Sequence, residues 1–299
     1  VIPFANLLGG SKINTAAPGQ AVFTSRGNQQ WTVPSGVYEV SVLAVGAGAS
    51  GSYRTGTDNG TGGGGGDVRW INRLRVQPGE VLDITIPAAA TTNGARGGST
   101  TLLRSAAVLL RASGGLGLIG TQAAKDSTTI GAHPLFPDLT VGGGNGGAGA
   151  GSNNTGIVGG AGGAGGYSGN GSAGGGPGVT TAAGSGGSGS GSQAVTGGTA
   201  SGNGAGGVGL FGEGASGAAA STGTGVGKGG SGGADGTSSL SGISGEDNGA
   251  IYGAGGQGFS GLNPFFGLGG LGALRILWGQ GPNNGGRAFP ATNVATATS

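Results

Sequence analysis

The chain has 299 residues, of which 83 are glycine and 11 proline; 8% are charged, the formal net charge is +2, and there is no cysteine. This length implies more than one structural unit, the missing cysteines exclude a disulfide framework and thiolate metal sites, and the near-balanced charge gives no footprint for nucleic acid. The longest apolar runs fall far short of the roughly 18 residues of a spanning helix, so no membrane insertion is expected. Residues 1–19 read as an irregular arm. Its opening lacks the basic region and length of a signal peptide, and with no methionine anywhere an initiator or a cleaved leader is expected to be missing. Strand signals follow at 21–25, 30–33 and 37–45, the last with Tyr38, Val40, Val42 and Ala44 on one face. Pro34-Ser35-Gly36 and Pro78-Gly79 are turn signals. A first glycine-rich loop covers 46–66, and 67–76 is the clearest strand. There Val68, Trp70, Leu74 and Val76 alternate with Asp67, Arg69, Arg73 and Arg75. Strands at 81–86, 99–103 and 106–110 complete an antiparallel β-sandwich expected over 20–125.

Residues 126–270 are the second unit. From Leu139 to Ser244 the only charged residues are Glu213, Lys228 and Asp235, and glycine, alanine and serine fill most positions. Such a segment has too little side chain for a conventional core, and glycine weakens both helix and sheet. It is either disordered or packed backbone against backbone. Low charge and well-placed apolar residues favour packing: polyproline II helices of about 6–10 residues, three residues per turn, with glycine on every enclosed face. Gly156, Gly159, Gly162 and Gly165 keep a three-residue frame that Ser168 breaks, so a collagen-like repeat is excluded. The β pattern returns at 273–278, read as a strand completing the first sheet, within a closing unit at 271–299. The expected fold is mainly β: a small antiparallel sandwich plus a glycine-rich polyproline II bundle, with essentially no α-helix. Trp70 and Trp278 are expected in one shared core.

Chemistry-bearing motifs are few. GxGxxG recurs by composition alone, and Gly227-Lys228-Gly229 lacks the rest of a phosphate loop. His133, the only histidine, has no serine or cysteine in a recognisable triad. Glu246-Asp247 reads as a solvated turn, and 229–235 resembles a calcium nonapeptide only loosely and does not repeat. The basic residues between Arg54 and Lys125, half-compensated by Asp58, Asp67, Glu80 and Asp83, read as a solvated sheet face rather than a nucleic-acid site. No catalytic residue, metal site or cofactor is expected, and the chain is read as non-enzymatic.

Gln30-Trp31-Thr32-Val33-Pro34-Ser35-Gly36-Val37-Tyr38-Glu39-Val40 resembles the FTVPAGVxxV opening of glycine-rich phage tail-fibre and appendage proteins. In that family a glycine run and a strand ending V-x-P-G-x-x-L-x-I-x-I follow, as in Val76-Gln77-Pro78-Gly79-Glu80-Val81-Leu82-Asp83-Ile84-Thr85-Ile86. Gly272-Ala273-Leu274-Arg275-Ile276-Leu277-Trp278-Gly279 with Gly286-Arg287-Ala288-Phe289-Pro290 is similar to its GAVRIIWG…GRxFPxTN ending. The glycine segment resembles the tip adhesins of T-even-type phages, in which loops between polyproline II helices contact the host. The resemblance implies a virion protein that attaches to a host-surface glycan or outer-membrane protein, joins other appendage proteins and forms a homo-oligomer. A self-assembling extracellular filament or matrix protein built on the same bundle is the alternative. An ice-binding protein fits less well, because the residues on the third face are irregular. In a bundle of this kind specificity resides where the chain turns. The candidate tip residues are Asn153, Asn154, Tyr167, Leu210, Phe211, Glu213, Ile251, Tyr252, Phe259, Phe265 and Phe266.

Overall fold

The computed structural model describes residues 12–54, 60–117, 139–150, 159–174, 187–188, 204–220, 226–237, 249–260 and 266–290. Among the described residues there are eleven strands, the longer ones built on alternating β-branched and aliphatic residues: β1 (Gly19–Phe23), β2 (Gly27–Thr32), β3 (Glu39–Val45), β4 (Tyr53–Arg54), β5 (Val68–Arg75), β6 (Val81–Ile86), β7 (Thr100–Arg104), β8 (Ala107–Ala112), β9 (Thr140–Gly142), β10 (Phe259–Ser260) and β11 (Ala273–Trp278). The turns behave as their residues require. Gly36 and Gly79 take φ of 77° and 80°, and the Glu80 N–H closes the Pro78-Gly79 turn on Gln77 O at 3.0 Å.

Five strands form one antiparallel sheet in the order β1-β11-β3-β5-β9, and four form a second in the order β2-β6-β7-β8. The returning strand β11 therefore lies inside the first sheet, between β1 and β3. The sandwich core comprises Val40, Val42, Ala44, Ile71, Leu74, Leu274 and Ile276 from the first sheet, facing Trp31, Leu82, Ile84, Leu102 and Leu110 from the second. Trp278 packs at its margin, with its ring centroid 5.7 Å from that of Trp31.

Trp70 is not in that core. Val40 opposes Leu74 and Val42 opposes Ile71, so Ser41 alone faces Asn72 and Arg73. Arg73 takes φ 60°. A bulge adds one residue and reverses the alternation beyond it. Leu74 and Val76 consequently enter the sandwich, while Val68 and Trp70 join Leu43, Val45, Ala273 and Leu277 on the opposite face of the sheet. That face is not solvated. Ala164, Tyr167, Val208, Leu210 and Phe289 cover it, which is why all seven residues of β3 are buried. Asp67, expected on a solvated face, is fully buried.

At one end of the sandwich, strands of both sheets run on into glycine-rich segments with no sheet pairing. Residues 46–52 leave β3, 61–67 enter β5, 95–98 enter β7, 113–116 leave β8, 143–150 leave β9 and 267–272 enter β11. Their backbone bonds repeat every third residue. In antiparallel order, the Gly46 N–H donates to Asp67 O, Ala49 to Gly64 O and Ser52 to Thr61 O. Ala47 and Ser50 donate to Gly98 and Ala95, and Gly48 and Gly51 to Gly270 and Gly267. The next segment does the same: Gly62, Gly65 and Val68 donate to Ala150, Gly147 and Gly144; Gly63 and Gly66 to Gly256 and Gly253; Gly64 and Asp67 to Leu116 and Ser113. A strand pairs with two neighbours at a period of two; these segments each address three at a period of three. The close approach requires glycine: a Cβ on Gly65 would overlap Gly163 O, and one on Gly48 would overlap Ala254 O. Where the spacing opens by one methyl group, Ala161, Ala205, Ala250 and Ala254 interlock. The bonded glycine segments thus come from both sides of residue 126.

Candidate functional site

The bundle has a sheet end and a far end, and the register of its bonds assigns residues to each. Gly46, Asp67 and Gly144 adjoin strands of the sandwich, whereas Ser52, Thr61, Ala150 and Gly160 lie at the other end of the same ladders. Of the expected tip residues, most belong to the sheet end. Tyr167 is fully buried and is a docking residue rather than a tip. Its OH donates to Gly209 O at 3.0 Å and accepts from Gly212 N at 3.2 Å, its carbonyl accepts the Trp70 indole N–H at 2.8 Å, and its ring lies 5.9 Å from Phe289. Burial raises the pKa of its phenol. Leu210 is likewise buried in the cluster over the sheet. A glycine-rich chain has few side chains with which to anchor itself, so the bulky ones are used as plugs.

Beside these plugs the sheet end does present side chains. Phe211 is 52% exposed and Ile251 55%. Tyr252, half-buried with φ 66°, packs against the cluster. Phe211 lies over the fully buried Arg275, whose guanidinium carbon is 4.6 Å from the ring centroid. Arg275 donates to Gln20 Oε1 at 2.6 Å and to Leu210 O at 2.8 Å, and desolvation by burial lowers its pKa to about 10. Glu213 accepts from Ser168 Oγ at 2.9 Å, and its backbone N–H donates to Pro290 O at 2.8 Å.

The closing residues explain their own motif. Asn72 exchanges two bonds with the Phe289 backbone, at 2.7 and 2.8 Å. Asn284 is buried and donates to Ser41 Oγ, Leu277 O and Arg287 O. Asn14 ties Glu39 O and Gly279 O together, both at 2.8 Å. Residues 279–290 are thereby clamped to the sheet and hold Phe289 against Tyr167.

At the far end the described side chains are fewer. Phe266 stacks on Tyr53, with centroids 6.3 Å apart and planes at 16°. Phe259 in β10 is the register partner of Tyr53 in β4. The Asn93 side chain exchanges bonds with the Tyr53 backbone, at 2.9 and 3.3 Å. Tyr53 and Asn93 are not among the expected tip residues. The one signal for them in the sequence is an aromatic set inside the first glycine loop. Asn153, Asn154 and Phe265 lie outside the described residues. Among the described residues no group of three His, Cys, Asp or Glu side chains could hold a metal ion, and no helix is long and apolar enough to cross a membrane.

Fold and site together define a class: a β-sandwich whose strands extend into a backbone-bonded glycine bundle, locked by aromatic plugs and a C-terminal clamp. In comparison with known proteins, the chain matches no family model and no curated sequence.

Proposed function

We propose that this protein is a structural and receptor-binding component of a phage tail fibre or other virion appendage, without enzymatic activity. In this reading the sandwich is the base and the glycine segments are polyproline II helices. The far end of the bundle meets a glycan or outer-membrane protein of the host. The observation that carries the reading is the three-residue period of the backbone bonds, with three neighbours around one segment. A helix of three residues per turn produces that pattern, and it joins the sequence resemblance to glycine-rich tip adhesins. Support for the far end as the contact surface comes from the Tyr53–Phe266 stack, since aromatic rings suit both sugar stacking and anchoring in a protein pocket. The sheet-end residues Tyr167 and Leu210 are spent on docking. The test has two arms. Mass spectrometry of purified virions is expected to find the chain; its absence from virions overturns the reading. Host-cell adsorption is expected to drop for Tyr53→Ala at unchanged melting temperature.

The exposed Phe211 and Ile251 on the flank near the sheet favour one other reading, lateral self-association into an extracellular filament. Concentration-dependent assembly of the purified chain, abolished by Phe211→Ser, would support it over virion attachment.

A further inference from the structure

One polar cluster at the junction of bundle and sandwich has the parts of a reaction. Asn145 is followed by Gly146, and the Gly146 backbone N–H donates to Asp67 Oδ1 at 2.9 Å. Asp67 is fully buried. Arg69 Nη2 donates to Asn145 Oδ1 and lies 3.5 Å from Asp67 Oδ2. A carboxylate therefore sits on the N–H of a nitrogen one residue beyond an amide, and a guanidinium sits on that amide's oxygen.

We propose that Asn145-Gly146 is a self-modification site, at which the Gly146 nitrogen closes on the Asn145 side-chain carbonyl carbon to form a succinimide. Asp67 takes the Gly146 amide proton as the nitrogen attacks Cγ, which is general-base catalysis by a positioned carboxylate. Arg69 stabilises the negative charge that develops on Oδ1. The new N–Cγ bond forms, the Cγ–Nδ2 bond breaks, and the proton held by Asp67 leaves with the amide nitrogen as ammonia. No oxidant, reductant or co-reactant is needed. Asn145 is exposed, so ammonia can leave and water can then open the ring to aspartate or isoaspartate. Glycine at 146 offers no Cβ to obstruct the attack. The product places a new carboxylate or a lengthened backbone beside Arg69, in a segment whose bonds repeat every third residue.

The chain carries its own controls. Asn93-Gly94 and Asn170-Gly171 are also exposed at the asparagine, but the Gly94 and Gly171 N–H groups donate to the carbonyls of Gly51 and Asn145, both at 2.9 Å. A backbone carbonyl cannot serve as the base. If Asp67, Arg69 and Asn145 are instead a charge-assisted clip that only stabilises the junction, folding slows reaction at Asn145.

The test is peptide-mapping mass spectrometry of the full chain aged at neutral pH, natively and in urea. Asn145 is expected to lose ammonia at least about tenfold faster than Asn93 and Asn170 in the same native molecules, a modest share of what a positioned base contributes. It is also expected to react faster in the native chain than in urea. Asp67→Asn should remove the excess. Native reaction at Asn145 slower than in urea, or no faster than at Asn93 and Asn170, overturns the proposal. The native-against-urea comparison needs no variant and stands whether or not Asp67→Asn folds.

Discussion

Trp70 shows how one side chain joins the two units. Its ring fills the outer face of the sheet, and its indole N–H holds the Tyr167 carbonyl. Trp70→Ala should cost about 3–5 kcal/mol, the range for a large aromatic removed from a core, and should loosen residues 159–174 as well as the sheet. Chemical denaturation followed by local amide exchange checks both, and a neutral effect would contradict the docking role. Tyr167 adds a pH signature. Burial holds its phenol above the ordinary value near 10. Above about pH 10 the unfolded chain releases a proton that the folded chain keeps, so stability present below that pH is lost as pH rises. Arg275, lowered to about 10 by burial, works in the opposite sense, because there the unfolded chain keeps the proton longer. Tyr167→Phe removes the first contribution. It should cost about 1–3 kcal/mol at neutral pH by orphaning Gly209 O and Gly212 N, and the urea midpoint should then fall less steeply on the alkaline side than in the parent.

At the scale of the element, the strands were legible because period two is a strong signal. The mainly β, two-sheet architecture follows from it, and 273–278 is readable as a returning strand. Two features were not readable. The bulge at Arg73 depends on one φ value and sends Trp70 and Leu74 to opposite faces, while strict alternation places them together. Nor does alternation in β3 reveal that its second face is covered, since the covering residues Tyr167 and Leu210 lie more than a hundred positions away. The same distance explains why the burial of Tyr167 and Leu210 was not readable. A bulky residue between glycine runs marks a turn, but the sequence does not say at which end of the bundle the turn lies. For the glycine segments the decisive change is one methyl group. Gly65→Ala would drive a Cβ into Gly163 O, so it should destabilise by about 1–3 kcal/mol, as overpacking does. At Gly79 a Cβ would meet nothing within 4 Å, so Gly79→Ala should suffer only from the positive φ. Paired urea titrations compare the two.

For the whole molecule, the bundle is an axial continuation of the sandwich. Strands of both sheets change from period two to period three where glycine begins, at Gly46, Gly98 and Gly143 among others. With few charges in its shaft, the bundle's stability should change little with salt, the exposed Lys228–Asp235 pair being screened and the buried Asp67–Arg69 pair much less so. Phe211→Ala at the sheet end should leave adsorption unchanged if the far end is the contact surface, in contrast to Tyr53→Ala. The central claim is that the glycine-rich segments are ordered by backbone bonds to three neighbours. Residue-resolved amide exchange over 46–52 and 62–68 tests it most directly. Every N–H in both runs donates to a carbonyl, so protection should be continuous from Gly46 to Ser52 and from Gly62 to Val68. Exchange at random-coil rates in these runs would contradict the account, and protection of alternate residues would indicate an ordinary sheet edge instead.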